Sequence, residues 1–232
     1  MCGRFGLFVT PEVLEEYFGL DDLVAAVEPR YNLTPGRAVA VVRESEGKRR
    51  LDALQWGLIP FWAKDATISR RLINARLDSV AEKPAYREAW QRRRCLIPAS
   101  GFYEWSEPRG GRKRPHVIRP HDEPLLALAG LWERWRTPSG EKLETCVIVT
   151  TDANAQLVQI HDRMPLLIPR DAQALWLDPK SSLDDVLELA ERPPKLDAHP
   201  VGFGVNDPKN DDEALIAPVA EAAPEAPPTP ER

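Results

Sequence analysis

Short apolar segments separated by turn residues recur along most of this 232-residue chain, and they limit the folds it can adopt. β-Branched or aromatic runs at 39–42, 51–58, 101–105, 125–132 and 145–150 alternate with stretches rich in glycine, proline or charged residues. The runs are too many and too irregularly interrupted for a repeated strand–helix–strand unit. We therefore predict a single α+β domain with a curved, mostly antiparallel, barrel-like sheet and peripheral helices.

The predicted helices are few and short. Thr10 can cap a helix that begins at Pro11 and stops at Gly19. Asp152 can cap another that ends near His161. Further helices are predicted at 84–93, 170–177 and 183–190, and a last strand at 201–205.

The charge of the chain is concentrated at its C-terminal end. From Asn206 onward the composition shifts to Pro, Ala and Glu, with two basic and seven acidic residues, which account for the whole formal net charge of -5. We predict a folded catalytic domain over 1–205 and a flexible acidic tail over 206–232. The remaining charges balance, and arginines outnumber carboxylates between 70 and 94. Charge therefore permits a nucleic-acid site without establishing one.

The cysteines and the apolar runs argue against a disulfide-bonded, metal-binding or membrane protein. Cys2, Cys95 and Cys146 are odd in number and widely spaced, with no Cys-x-x-Cys pair, so we predict no disulfide, metal site or cofactor. Cys95 and Cys146 have the apolar neighbours of buried strand residues. No apolar run has the length of a membrane span, and the first residues do not resemble a secretory signal. We expect a cytoplasmic monomer without membrane association, located at the nucleoid if the source is bacterial.

Cys2 is the residue with the most distinctive chemistry. An initiator methionine is generally removed when a small residue follows it, so the mature chain is expected to begin with Cys2. An α-amine with a pKa of about 7.7–8.0 would then lie next to a thiol. Such a pair suits an aldehyde, because the amine forms a Schiff base and the thiol closes a thiazolidine ring. The alternative is a frayed terminus without function, which the apolar residues after Arg4 disfavour.

Three polar residues near strand ends are candidates for acid–base work, although each also has a structural explanation. Glu104 lies in an apolar stretch that would raise the pKa of its carboxyl, or else it is the solvent-facing residue of a strand. Asn74 is a site residue or a turn residue. His161 is a proton shuttle or a partner of a helix dipole.

Arginines and tryptophans near these positions are also ambiguous. Arg76 and Arg163 could hold phosphates or pair with Asp78 and Asp162. Trp62, like Trp56, lies in an aromatic segment that either stacks on nucleic-acid bases or fills the core.

The order of the motifs along the chain resolves much of this ambiguity. They are Cys2-Gly3-Arg4-Phe5, Arg30-Tyr31-Asn32 with Pro35-Gly36, Trp56-Gly57-Leu58-Ile59-Pro60 with Trp62-Ala63-Lys64-Asp65, Asn74-Ala75-Arg76, Cys95-Leu96-Ile97-Pro98-Ala99 with Gly101-Phe102-Tyr103-Glu104-Trp105, Thr150-Thr151-Asp152-Ala153-Asn154, and His161-Asp162-Arg163-Met164-Pro165. In this order they closely resemble the SOS-response-associated peptidase (SRAP) family, also described as abasic-site processing proteins. The resemblance spans roughly residues 2–205.

The resemblance implies an SRAP-like fold and a covalent chemistry on DNA. Family members recognise abasic sites in single-stranded DNA, whose opened sugar is an aldehyde, and crosslink to them through the N-terminal cysteine. By motif, Cys2 supplies the amine and thiol, Asn74 orients the amine or the sugar, Glu104 is the general acid or base, and His161 assists proton transfer. The same Schiff base would permit strand cleavage by a lyase reaction.

The resemblance also implies a set of DNA-binding residues and one departure. The implied DNA-binding residues are Arg4, Asn32, Pro35, Trp62, Arg76, Thr150 and Arg163. The three arginines would contact phosphates, and the loops of Pro35 and Trp62 would shape the groove. Where the family commonly has Asn-Ala-Arg-Ala-Glu-Thr, this chain has Asp78 in place of Glu, which puts in doubt any role of that position in holding Arg76.

Two other classes of function remain open on the sequence. The first is a cysteine peptidase, whose peptide substrate could be its own Met1-Cys2 bond. The second is a non-catalytic module that binds single-stranded DNA. The sequence also leaves open whether the acidic tail binds a replication-associated protein.

Overall fold

Two β-sheets make up most of the molecule. The computed structural model describes residues 2–23, 26–107 and 112–220. The strands are β1 (Phe5–Leu7), β2 (Asp22–Leu23), β3 (Arg30–Leu33), β4 (Ala38–Ser45), β5 (Lys48–Trp56), β6 (Asn74–Arg76), β7 (Arg94–Ala99), β8 (Gly101–Ser106), β9 (Arg114–Pro120), β10 (Leu126–Arg136), β11 (Lys142–Asp152), β12 (Arg163–Pro165) and β13 (Leu196–Pro200). The helices are α1 (Pro11–Phe18), α2 (Arg87–Arg92), α3 (Gln173–Leu177) and α4 (Leu183–Ala190).

The larger sheet closes into a barrel. Its strands run in the order β12-β11-β10-β7-β4-β5-β2. The five strands from β11 to β5 form the barrel, because β11 also pairs with β5. β6 also pairs with β11. The smaller sheet has the order β13-β9-β8-β1-β3 and is antiparallel throughout its described pairs. The predicted α+β domain with a mostly antiparallel, barrel-like sheet and peripheral helices is confirmed.

The main hydrophobic core joins residues from both sheets. It contains Phe5 of β1 and Trp56 of β5, whose rings lie 5.2 Å apart, together with the predicted buried strand residues Cys95 and Cys146. Phe5 pairs with Phe102 of β8, so the N-terminal strand is fixed within the smaller sheet. The terminus that carries Cys2 is therefore part of the packed core and is not frayed.

The bounds of the first helix are as predicted, but the predicted cap is not formed, since the Thr10 side chain makes no capping hydrogen bond. α1 begins at Pro11 and ends before Gly19, which adopts a left-handed conformation with φ of 60° and donates its N–H to Glu15. Leu14 and Phe18 are buried against the core. Among the described helices, none has the length and apolar composition needed to cross a bilayer.

Two local predictions are wrong. Asp152 is the last residue of β11, and the residues after it form successive turns because the Asn154 side chain accepts the N–H groups of Gln156 and Leu157. The last strand is β13 at Leu196–Pro200, whereas Phe203–Asn206 is a 3₁₀ turn.

The segment after Asn206 differs from the predicted flexible tail as far as residue 220. Leu215 is buried with Tyr103 and Val205 in a second apolar cluster, and Val219 donates its N–H to Pro200. The average composition of 206–232 hides these few apolar anchors. The folded region therefore extends past 205, and residues 221–232 lie outside the described part of the chain.

We expect Gly57→Ala to lower the free energy of unfolding by about 3 kcal/mol, from backbone strain and a steric clash. Gly57 has φ of +124°, and an added Cβ would lie 2.8 Å from the carbonyl oxygen of Ser69. Gly47 is a matched control, since its φ is +73° but no atom lies within 4 Å of its Cβ position. Gly47→Ala should cost about 1 kcal/mol. Urea unfolding of both variants measures the difference, and equal losses would contradict the role of the clash.

Candidate active site

Cys2 lies at the junction of the two sheets. Tyr103 of β8 donates its N–H to the carbonyl of Arg4 at 2.9 Å, which aligns the residues before β1 with β8. Asn74, the first residue of β6, donates its Nδ2 to the carbonyl of Cys2 at 2.9 Å. The Cys2 side chain is fully buried, and its Sγ lies 4.0 Å from the carbonyl oxygen of Arg4. Both sheets therefore fix the position of this residue.

Asn74 has a second polar atom directed into the interior. Its Oδ1 is buried and has no hydrogen-bond partner among the described residues. Its backbone is held by pairing with Ile148 of β11, and its carbonyl accepts the hydroxyl of Tyr86 at 3.1 Å. The side chain can thus hold the Cys2 backbone with one atom and accept a donor from a bound molecule with the other.

Glu104 and His161 form an acid–base pair. Glu104 of β8 is buried, and its Oε2 lies 3.8 Å from Nε2 of His161. Nδ1 of His161 accepts the N–H of Arg163 at 2.9 Å, and Nε2 is the ring nitrogen on the side of Glu104. Asp162 lies 3.0 Å from Nδ1 and favours the charged ring, but burial outweighs it and lowers the pKa of His161.

Burial also sets the protonation of the other two groups. It raises the pKa of Glu104 to about 7, and the negative charge of Asp162 acts in the same direction. Burial raises the pKa of the Cys2 thiol well above its ordinary value, with a further contribution from Glu104. Near neutral pH the thiol is therefore protonated, and Glu104 can either donate or accept a proton.

Strand pairing places two arginines on the two sides of β11, and both lie near Asp78. Thr150 of β11 lies opposite Arg76 of β6, and Asp152 lies opposite Arg163 of β12. Arg163 is buried, donates to the carbonyl of Thr150 at 2.8 Å and to Asp152, and lies 3.9 Å from Asp78. The hydroxyl of Thr150 is buried without a partner among the described residues.

Arg76 is the accessible member of this group. About half of its side chain is exposed, and its Nη2 and Nε donate to Asp78 at 2.7 and 3.1 Å. The shorter Asp78 side chain therefore still reaches Arg76. Of the sequence alternatives, pairing with Asp78 is confirmed for Arg76, whereas Arg163 pairs with Asp152 and not, within the described contacts, with Asp162 through its guanidinium.

Arg4 and Asn32 lie within the fold. Arg4 donates to Asn32 Oδ1 at 2.9 Å and to the carbonyl of Val205 at 2.5 Å. The buried Asn32 donates in turn to the carbonyls of Asp207 and Asn210, at 3.0 and 2.7 Å. Every polar atom of the Asn32 side chain is thus engaged inside the protein, which gives Asn32 a structural role, and its contact with DNA stays a prediction. DNA binding by Arg4 stays a prediction, and these contacts also give it a structural role.

The structure distinguishes the two tryptophans of the aromatic segment, which the sequence left ambiguous. Trp56 is fully buried, whereas Trp62 is 49% exposed and its neighbour Phe61, whose exposure the sequence did not indicate, is 55% exposed. Pro35 is half-buried in a turn after β3. No described contact joins Trp62 or Pro35 to the catalytic candidates, so their roles stay predictions.

Three supporting residues were missed by sequence reasoning. Tyr86 holds Asn74, Asp152 holds Arg163, and Asp211 accepts the N–H groups of two residues of β3. Asp211 acts across a long sequence separation and from a segment that resembles a tail. For Asp152 a signal was available, since it lies within the motif Thr150-Thr151-Asp152-Ala153-Asn154.

Comparison with known proteins gives a consistent result. The family described as SOS response associated peptidase (SRAP) matches residues 1–208. Abasic site processing protein YoqW of Bacillus subtilis (strain 168) is 39% identical over 93% of this chain and 99% of its own. Abasic site processing protein YedK of Escherichia coli (strain K12) is 32% identical over 94% of this chain and 100% of its own.

A vertebrate relative and a crystal structure extend the comparison. Abasic site processing protein HMCES of Gallus gallus is 32% identical over 74% of this chain and 58% of its own. A crystal structure of a protein from Bacteroides thetaiotaomicron has a TM-score of 0.83 at 26% identity, covering 94% of this chain and 100% of that one. The similarity thus holds in sequence and in fold over nearly the whole folded region.

Proposed function

Because this chain belongs to the SOS response associated peptidase family, we propose that it acts in the DNA damage response by crosslinking to abasic sites in single-stranded DNA through Cys2, after removal of Met1. The observation that carries the proposal is the buried Cys2 held by Asn74, in the same site as the Glu104–His161 pair. The names of the relatives, abasic site processing proteins, support the choice of substrate.

The first step is the condensation of the Cys2 amine with the aldehyde carbon of the opened sugar. The amine attacks this carbon, and the resulting hydroxyl leaves as water when a protonated acid supplies its proton. Glu104, with a pKa raised to about 7, is available in its protonated form for this transfer. The product is a Schiff base, and one water molecule is released.

The second step closes the ring and requires a base. The Cys2 thiol adds to the Schiff-base carbon, its proton is removed, and the nitrogen gains a proton, so the thiazolidine forms without further loss of atoms. Because burial keeps the thiol protonated, a carboxylate is needed to accept its proton. We assign this role to Glu104, with His161 exchanging protons through Nε2. Asn74 Oδ1 would accept a hydrogen bond from the amine or from a sugar hydroxyl.

The Schiff base also permits a lyase reaction. Withdrawal of electrons by the iminium makes the adjacent sugar carbon acidic, and loss of that proton expels the phosphate on the 3′ side. Rapid ring closure competes with this elimination. A substitution that slows closure without removing the amine should therefore increase strand cleavage relative to crosslinking.

We expect Arg76→Ala to weaken binding to single-stranded DNA and to reduce the slope of log affinity against log salt by about 0.7, the value for one phosphate contact on a single strand. The accessible guanidinium supports this assignment. Fluorescence anisotropy across a salt series measures both quantities. Lys48→Ala, an exposed position at the start of β5, is the control and should leave the slope unchanged. An unaltered slope in Arg76→Ala would remove Arg76 from the phosphate contacts.

A second candidate function is peptide hydrolysis by Cys2, acting on the chain's own Met1-Cys2 bond or on other peptides. It is favoured by one observation, namely that an acid–base pair and Cys2 share one site. Incubation of the chain with an unrelated peptide and with abasic DNA separates the two functions. Cleavage of the peptide would favour a general peptidase, whereas a DNA adduct that requires the free amine of Cys2 supports crosslinking.

A further inference from the structure

The C-terminal segment 205–211, here called the C-terminal strap, is bound to the strands that carry the reactive residues. Val205 accepts from Arg4 at 2.5 Å, and the carbonyls of Asp207 and Asn210 accept from Asn32. These bonds connect the strap to the residue two positions after Cys2. The strap also carries Asp211, the only residue in it whose side chain accepts backbone N–H groups of β3 in the described contacts.

Asp211 fixes β3 with both oxygens of its carboxylate. Oδ1 accepts the N–H groups of Tyr31 and Asn32 at 2.6 and 3.0 Å, and Oδ2 lies 2.5 Å from Nε of Arg30. Because β3 pairs with β1 through Leu33 and Phe5, a fixed β3 also fixes the strand that follows Cys2. Hydrogen bonds to an ionised acceptor are stronger than neutral ones, so this contact is a firm anchor.

The strap also contacts the residues on either side of Glu104. Trp105 donates its indole N–H to Asn206 Oδ1 at 2.8 Å. Tyr103 packs against Val205 in the second apolar cluster and donates its hydroxyl to the carbonyl of Tyr31 at 2.9 Å. One short segment is thus attached to the neighbours of both Cys2 and Glu104.

We propose that Asn32 and Asp211 are positioning residues, through which the C-terminal strap holds Cys2 and Glu104 in register for the crosslinking reaction. The inference rests on the function proposed above. It assigns Asn32 to the alignment of the reactive groups, without contact to DNA. It also separates two classes of variant: loss of the strap contacts lowers the rate of reaction of bound DNA, whereas loss of a phosphate contact lowers affinity and salt dependence.

Three variants of the full chain, each with Met1 removed, test the role of the strap. Asp211→Ala removes the anchor, whereas Asp211→Asn keeps an oxygen that can accept the N–H groups of Tyr31 and Asn32. Asp212→Ala is the matched control, because the neighbouring Asp212 caps its own turn by accepting the N–H of Ala214. Each variant is examined for its crosslinking rate at saturating abasic DNA and for the alkylation of its cysteines by iodoacetamide.

We expect Asp211→Ala to crosslink about tenfold more slowly, with unchanged DNA affinity and salt slope, and Asp211→Asn to retain most of the rate. Release of the N-terminal strand should also raise the alkylation rate of Cys2 about tenfold. Cys95 and Cys146 are buried in the barrel and serve as internal standards. Their alkylation should not change.

Three other outcomes overturn the inference. Equal gains in alkylation at all three cysteines would show global loosening of the fold, and an unchanged Cys2 would show that the strap does not hold it. If Asp212→Ala slows crosslinking as much as Asp211→Ala does, the effect is not specific to Asp211. If the unsubstituted chain forms no crosslink, the proposed function fails, and the alkylation of Cys2 still decides whether the strap positions this residue.

Discussion

Replacing Cys2 with alanine is expected to remove the band that survives denaturation when the chain is incubated with an abasic single-stranded oligonucleotide. We expect the yield of stable adduct to fall by about 1,000-fold or more, the scale of the advantage of an intramolecular nucleophile. The N-terminal amine of this variant can still form a Schiff base, but no thiol is present to close the ring. A denaturing gel with the abasic and the undamaged oligonucleotide measures the effect.

Borohydride trapping and a chain that keeps Met1 show which half of the aminothiol is needed. Reduction with borohydride should trap the Schiff base of Cys2→Ala and restore a band, because the reduced amine bond is stable. A chain that keeps Met1 has no amine on Cys2 and should give neither band through that residue. A Cys146→Ala variant controls for loss of a buried thiol and should crosslink normally if it is folded.

Three results would contradict the covalent mechanism. The first is an undiminished adduct in Cys2→Ala, which would move the bond to another nucleophile. The second is an adduct that forms equally on undamaged DNA, which would remove the aldehyde from the mechanism. The third is the absence of any adduct from the folded chain with a free Cys2, which would favour the peptidase or a simple DNA-binding module.

The residues of the reactive centre could be proposed from the sequence because their chemistry and local motifs are distinctive. The aminothiol of Cys2 depends only on its place in the chain, and the apolar stretch around Glu104 indicates burial of a carboxyl group. The strand pattern likewise predicts the α+β class. What the sequence does not show is that β1 pairs with β8 and that Asn74 reaches the carbonyl of Cys2, since both contacts bridge long separations.

The C-terminal contacts of Arg4 and Asn32 could not be predicted either. Polar residues in a matching motif suggest DNA binding, yet both residues also have partners in or next to a segment whose average composition resembles a disordered tail. A few anchors such as Leu215 and Asp211 are enough to order that segment, and composition averaged over 206–232 conceals them. Polar residues that cap distant backbone groups are not distinguishable in sequence from residues that bind a ligand.

Substitution of Glu104 by glutamine is expected to slow crosslinking at saturating DNA by about 100- to 10,000-fold, the usual contribution of a general acid or base. Glutamine keeps the shape of the side chain and cannot accept the proton of the Cys2 thiol. Because Glu104 is buried and the phosphate contact is assigned to the accessible Arg76, the affinity for DNA should stay nearly unchanged. Single-turnover gels give the rate, and anisotropy gives the affinity.

The pH dependence tests the assigned role directly. If Glu104 acts as base in the slow step, the rate must rise as its carboxyl ionises, so we expect an increase centred near pH 7 that is absent in Glu104→Gln. A rate that falls through the same pH range would assign Glu104 as the acid. Equal losses of rate and affinity in Glu104→Gln would contradict both roles.

The same carboxyl gives a control for folding. Its pKa is raised in the folded state, from the ordinary value of 4.5 to about 7, so the folded protein binds more protons than the unfolded chain between these values. Stability contributed by Glu104 is therefore present at low pH and is lost as pH rises through that window. Glu104→Gln removes this loss and should raise the thermal midpoint at pH 8 while crosslinking falls. A lower midpoint would mean that the loss of rate reflects damage to the fold, and the assignment of Glu104 as the base would no longer be supported.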